Sequence, residues 1–114
     1  MNAHIQAQTE LQLVCAEQDV PRDGAVATYL IGGRQIAVAR KSTTDDTIVA
    51  FDSQCPHMDA PFRFGRVVDG EVICPWHFFR FDTTTGETSC CDKSSMKLKT
   101  YQVQVLDGKV YIHA

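Results

Sequence analysis

Four residues of this chain have the side chains and spacing of metal ligands: Cys55 and His57 in Cys55-Pro56-His57, and Cys74 and His77 in Cys74-Pro75-Trp76-His77. A sixteen-residue spacer, Met58 to Ile73, separates the two pairs. Each pair joins one soft thiolate to one imidazole. A structural zinc site usually takes a like pair close in sequence and a second like pair farther on, all converging on one ion. Here both pairs are mixed. If the cysteines bind one iron and the histidines another, each short loop reaches across a two-metal cluster, and bridging sulfides complete tetrahedral coordination at both irons. The ligand order points to an iron–sulfur centre, with a Cys2His2 zinc site in an interaction module as the alternative from another class.

Holding two such loops side by side requires a stiff scaffold, and the sequence offers short β-type runs separated by turn signals. Ala27 to Ile31 and Arg34 to Ala39 flank Gly32-Gly33, a two-residue hairpin signal. Thr47 to Asp52 leads directly into the first ligand loop. Val67-Val68 and Glu71 to Cys74 flank Asp69-Gly70, a hairpin that returns the second ligand pair beside the first and so accounts for the spacer. Phe78 to Phe81 reads as the outgoing strand, and Tyr101 to Leu106 and Lys109 to His113 close the domain around Asp107-Gly108. No segment shows a helical period. Pro56, Pro61 and Pro75 fix φ and remove a donor, which stiffens loops that must hold a metal.

The ligand pattern, together with Pro75-Trp76, the phrase Phe81-Asp82-Thr83-Thr84-Thr85-Gly86, the closing run Tyr101-Gln102-Val103-Gln104-Val105 and the early turn Val20-Pro21-Arg22-Asp23-Gly24, resembles that of Rieske proteins. The likeness runs from about residue 11 to the C-terminus. It implies an all-β Rieske fold of stacked antiparallel sheets, sandwich or barrel-like, with a small cluster-binding subdomain of two loops at about 53–66 and 73–82. Residues 1–114 then form a single domain. The resemblance also implies one [2Fe-2S] cluster per chain, with Cys55 and Cys74 on one iron and His57 and His77 on the other, exposed one.

Departures from the family pattern narrow the type. Members from respiratory and photosynthetic complexes carry an extra cysteine in each loop, joined as a disulfide; the corresponding positions are Ala60 and Trp76. Hydroxyl and glycine positions after the second histidine are Phe78, Phe79 and Phe81. Fewer hydrogen bonds to sulfur leave the reduced cluster less stabilised, so the expected potential lies toward the low end of the Rieske range, on the order of −150 mV. That range suits soluble Rieske ferredoxins of ring-hydroxylating dioxygenase systems. The resemblance then implies a one-electron carrier with no catalytic residue of its own, taking electrons from a flavin-containing reductase and passing them to a terminal oxygenase. A Rieske-like small subunit of an assimilatory nitrite reductase is the alternative within the same family.

Composition limits the remaining possibilities. In 114 residues there is room for one modest core and not for a second, catalytic iron domain; besides the four ligands only His4 and His113 remain. A net charge of −3, without a basic stripe, argues against nucleic acid. Residues Met1 to Glu10 are polar, with neither an apolar signal core nor a twin-arginine motif, and no apolar run approaches eighteen residues. The expectation is a cytoplasmic protein that contacts no membrane. Of five cysteines, Cys15 continues the apolar run Leu11-Gln12-Leu13-Val14 and reads as core, while vicinal Cys90-Cys91 sit in a polar loop. Arg40-Lys41 and Asp45-Asp46 read as solvated loop residues. Among aromatics near the ligands, Phe64, Phe79 and Phe81 are expected to face inward, and Met58 and Phe78 to form a docking rim.

Overall fold

The computed structural model describes residues 11–55, 61–75, 80–88 and 97–113. Nine strands run in order: β1 Leu11–Ala16, β2 Ala27–Ile31, β3 Arg34–Arg40, β4 Ile48–Asp52, β5 Arg66–Val68, β6 Glu71–Ile73, β7 Arg80–Asp82, β8 Thr100–Leu106 and β9 Lys109–His113. Among the described residues there is no α-helix, only two single 3-10 turns at Glu17–Asp19 and Phe62–Phe64. The strands form two antiparallel sheets. One has six strands in the order β1-β9-β8-β4-β3-β2, with its two edges approaching each other so that it is nearly a closed barrel. The other is the meander β5-β6-β7. This is the expected all-β architecture of stacked antiparallel sheets.

All three hairpin signals are realised. At Gly32-Gly33, Asp69-Gly70 and Asp107-Gly108 both central residues have positive φ, from 49° to 83°. That is the type I′ geometry whose twist matches the flanking strands, and Gly, Asn and Asp tolerate it best. The hairpins fix register: Ile31 faces Arg34, Val68 faces Glu71, and Leu106 faces Lys109. The apolar run at the start of the described chain becomes an additional strand: β1 pairs with β9 from Leu11↔His113 to Ala16↔Lys109, with an irregularity between Leu13 and Cys15.

Strands β3 and β4 are buried on both faces. Ile36, Val38, Ile48 and Ala50 point into the barrel, where they meet Val20, Tyr101, Val110 and Ile112. Ala37, Ala39, Val49 and Phe51 point the other way, toward the small sheet, where they meet Phe62, Val67, Val72, Phe81 and Leu98. Burial on both sides explains why these runs are continuously apolar instead of alternating. The second cluster holds the aromatic series Phe51–Phe62–Phe81. The first two rings meet edge to face at 5.6 Å and 85°, the second pair at 6.2 Å and 78°.

Three expectations need correction. Phe64 does not face inward: it is 64% exposed. It lies in a 3-10 turn and not in a strand, and at about 120° per residue the buried Phe62 and Phe64 point about 240° apart. Arg40 is not a solvated loop residue but the last residue of β3, 1% exposed. It shares the barrel face of Ile36 and Val38, where its guanidinium donates to the carbonyls of Glu17 at 2.8 Å, Asp46 at 3.2 Å and Val20 at 3.4 Å. Backbone dipoles at the barrel end thus take the place of water. Cys15 is only half-buried and packs at the edge of the barrel core, as Val14 and Tyr29 do; the β1 irregularity sets it opposite the buried Val110. Burial raises its pKa, the Tyr29 hydrogen bond opposes that, and Asp19 adds to it. Phe81 is fully buried, as expected.

Candidate metal centre

Each ligand loop is closed at its base by one antiparallel pair. β4 runs out through Asp52 and Ser53 to Gln54, which bridges to Pro61; Cys55 to Ala60 lie between. β6 ends at Ile73, which pairs with Arg80, the first residue of β7; Cys74 to Phe79 lie between. Both loops therefore span six residues, and in each the cysteine is the first. Cys55 and Cys74 are fully buried, at 0% exposure, and belong to the same apolar cluster as Phe51, Phe62 and Phe81. The base of this site is thus a buried aromatic floor with a thiol-bearing residue entering from each loop. His57 and His77 lie outside the described residues, as do Met58, Trp76, Phe78, Phe79, Cys90 and Cys91.

Backbone hydrogen bonds hold the two stems to the barrel. Ser53 N–H donates to Gln35 at 3.1 Å, Asp52 N–H to Lys99 at 2.9 Å, and Phe62 N–H to Ser53 at 2.7 Å. On the other side Val67 N–H donates to Gly24 at 2.8 Å and Gly70 N–H to Lys41 at 2.8 Å. The early turn and the β5–β6 hairpin are in this way clamped together. The Phe81 to Gly86 phrase has a mechanical reason as well. Asp82 Oδ1 accepts from the amides of Thr84 at 2.7 Å and Thr85 at 2.9 Å, and Gly86, at φ 82°, lets the Leu98 carbonyl approach where a Cβ would stand.

A side-chain network missed in the sequence supports the first loop. The Tyr101 hydroxyl donates to Asp52 Oδ1 at 2.7 Å and accepts from Arg34 Nη1 at 3.0 Å. Lys99 Nζ lies 5.3 Å from the centre of the Tyr101 ring. Burial, then the hydrogen bond to Asp52, pushes the Tyr101 pKa up to about 12. No local signal could have revealed this link, because the partners are 49 and 67 residues apart.

The donor chemistry fits an iron–sulfur cluster: two soft sulfurs shielded from water, at the mouths of two rigidly based loops over an apolar floor.

Comparison with known proteins agrees with this geometry. Residues 10–104 match the Rieske [2Fe-2S] domain model. The ferredoxin component of the p-cumate 2,3-dioxygenase system of Pseudomonas putida is 30% identical over 91% of this chain and 86% of its own length. Among solved structures, the Sphingomonas yanoikuyae B1 ferredoxin aligns with a TM-score of 0.78 at 25% identity, covering 92% of this chain and 99% of that one. A chain of the complex of reduced oxygenase and oxidised ferredoxin in carbazole 1,9a-dioxygenase aligns with a TM-score of 0.74 at 27% identity, covering 88% and 98%. Sequence and architecture concur, and the chain belongs to the Rieske [2Fe-2S] domain family.

Proposed function

We propose that this protein is a one-electron carrier that takes electrons from a flavin-containing reductase and delivers them to a terminal oxygenase. As a family member it takes one [2Fe-2S] cluster. The ligands in this reading are Cys55 and Cys74 on one iron and His57 and His77 on the other. When bound, the cluster supplies reversible one-electron redox chemistry at a potential raised by the two neutral imidazoles. The chain's own part is to hold the thiolates dry, so that the ferric state of their iron is favoured, and to keep both loops from opening.

The observation that carries the reading is the pair of fully buried cysteines, each leading a six-residue loop closed at its base. The carrier role is supported by the dioxygenase ferredoxin component from Pseudomonas putida, matched over most of both chains. The oxygenase as acceptor is supported by the alignment to a chain of an oxygenase–ferredoxin complex. No helix among the described residues is long and apolar enough to cross a membrane.

Anaerobically purified protein should contain two irons and two inorganic sulfides per chain, absorb visible light, and give a paramagnetic signal after one-electron reduction. His77→Cys should keep a cluster and lower its potential toward the roughly −400 mV of all-cysteine clusters. Zinc in place of iron, or a potential that rises in that variant, would overturn the assignment.

A further inference from the structure

Strand β8 is covered along only half of one edge. β4 pairs with it at Phe51↔Thr100 and Ala50↔Tyr101 and then diverges, leaving between Ile48–Val49 and Gln102–Val103 an opening of about 520 Å³. Past Tyr101 this edge meets no strand among the described residues. Turn geometry sets which of its backbone groups are free. The two-residue hairpin at Asp107-Gly108 makes Leu106 and Lys109 a hydrogen-bonded pair, so Gln104 and Gln102 also bond to β9, while Val105 and Val103 aim their N–H and C=O the other way. The bond from Asp52 N–H to the Lys99 carbonyl has the same phase, since every second residue from Lys99 onward faces the β4 side.

Soluble proteins normally shield a sheet edge by charge, proline, irregularity or shortness. The other edges of this fold are shielded. β1 carries the irregularity at Leu13–Cys15 and meets β2 where the barrel nearly closes, while β5 and β7 are three residues long, with Arg66 on one and Arg80 and Asp82 on the other. β8 has none of these devices. From Thr100 to Leu106 it holds no charge, proline or glycine, its register against β9 is unbroken, and Val105 and Leu106 are 40% and 43% exposed.

We propose that this edge, Gln102 to Leu106, pairs antiparallel with the same edge of a second copy of the chain, the two-fold axis passing at Gln104. That register alone matches the free groups: Val103 of each copy faces Val105 of the other, which gives four N–H···O=C bonds. An axis at Val103 would need Tyr101, already paired with Ala50, and one at Val105 would need Asp107, which lies in the turn. Charge and shape favour a second copy over an unrelated strand. An uncharged edge sets no like charges opposite one another, although the chain carries a net −3. Leu106 of each copy comes opposite Gln102 of the other, at the mouth of the opening, and Asp107 follows it toward Lys41, which lines that opening. Gln104 is about 17 Å along the strand from Lys99, so the pairing leaves both ligand-loop ends uncovered and pointing opposite ways.

Sedimentation of the holoprotein tests it, with a thiol reductant present to exclude disulfide-linked pairs. Between about 1 μM and about 1 mM, where small interfaces associate, the mass should rise from that of one chain toward that of two. Amide exchange at Val103 and Val105 should slow by about threefold or more over the same range. A protein that stays monomeric throughout overturns the proposal and leaves the edge to a strand from a different protein.

Gln104 tests the register, because it is exposed and stands opposite itself across the axis. Gln104→Lys and Gln104→Glu should each weaken association about threefold or more, since like charges then face each other, and an equimolar mixture of the two should associate at least as well as the unaltered protein. Unchanged association in either variant, or no recovery in the mixture, overturns the pairing at Gln104. Visible absorption shows that each variant still holds its cluster; its absence from the unaltered protein would sink the carrier function and not this surface.

Discussion

Replacing Phe62 with leucine removes the central ring of the Phe51–Phe62–Phe81 series while keeping an apolar side chain in place. Phe62 is fully buried, and its ring makes both edge-to-face contacts, at 5.6 Å and 6.2 Å. Each such contact contributes about 0.5–1.5 kcal/mol beyond area burial. Losing two gives about 1–3 kcal/mol, to which an imperfectly filled space adds a little. Truncation to alanine would cost about 3–5 kcal/mol, a large share of a small domain's stability of about 5–15 kcal/mol, so leucine is the informative change. With a urea slope of about 1–3 kcal/mol per molar, the unfolding midpoint should fall by roughly 1 M. Because Cys55 and Cys74 lie in the same buried cluster, release of iron to a chelator should accelerate in parallel. Phe64→Leu, two residues away, is the internal control: it should move stability by no more than about 0.5 kcal/mol, since Phe64 is 64% exposed. If both variants shift the midpoint alike, or Phe62→Leu shifts it by less than about 0.5 kcal/mol, the aromatic floor is not what supports the loops.

Two further outcomes follow from the same geometry. Gly86→Ala should lower stability by about 2 kcal/mol or more in urea unfolding, because φ is 82° and the added Cβ would fall on the Leu98 carbonyl; a cost under about 0.5 kcal/mol would refute the close approach. Between pH about 10 and about 12 the unfolded chain has released the Tyr101 proton and the folded chain has not. Since the folded state then binds more protons, stability is intact below this window and falls across it, by on the order of 1–2 kcal/mol once solvent screening is allowed for. Denaturant titrations across that range should show a decline that Tyr101→Phe lacks, and an equal decline in that variant would remove Tyr101 as its source.

The amino-acid order alone was enough for the local features. Three hairpins were legible because few residues, Gly, Asn and Asp foremost, readily take successive positive φ values, and the turn then dictates the register of its strands. That each loop opens on a cysteine was legible because residue type and spacing are covalent facts of the chain. Tertiary structure decided what depends on packing between distant segments. Phe62 and Phe64 have the same side chain, two positions apart, and only the 3-10 turn between the loop base and β5 sends one into the floor and the other to the surface. Arg40 entered the barrel end because the carbonyls of Glu17, Val20 and Asp46 converge there. Tyr101 reached Asp52 because β8 pairs with β4 at Ala50 and Phe51. Backbone conformation is set by neighbours in sequence, whereas burial and hydrogen-bond partnership are set by neighbours in space.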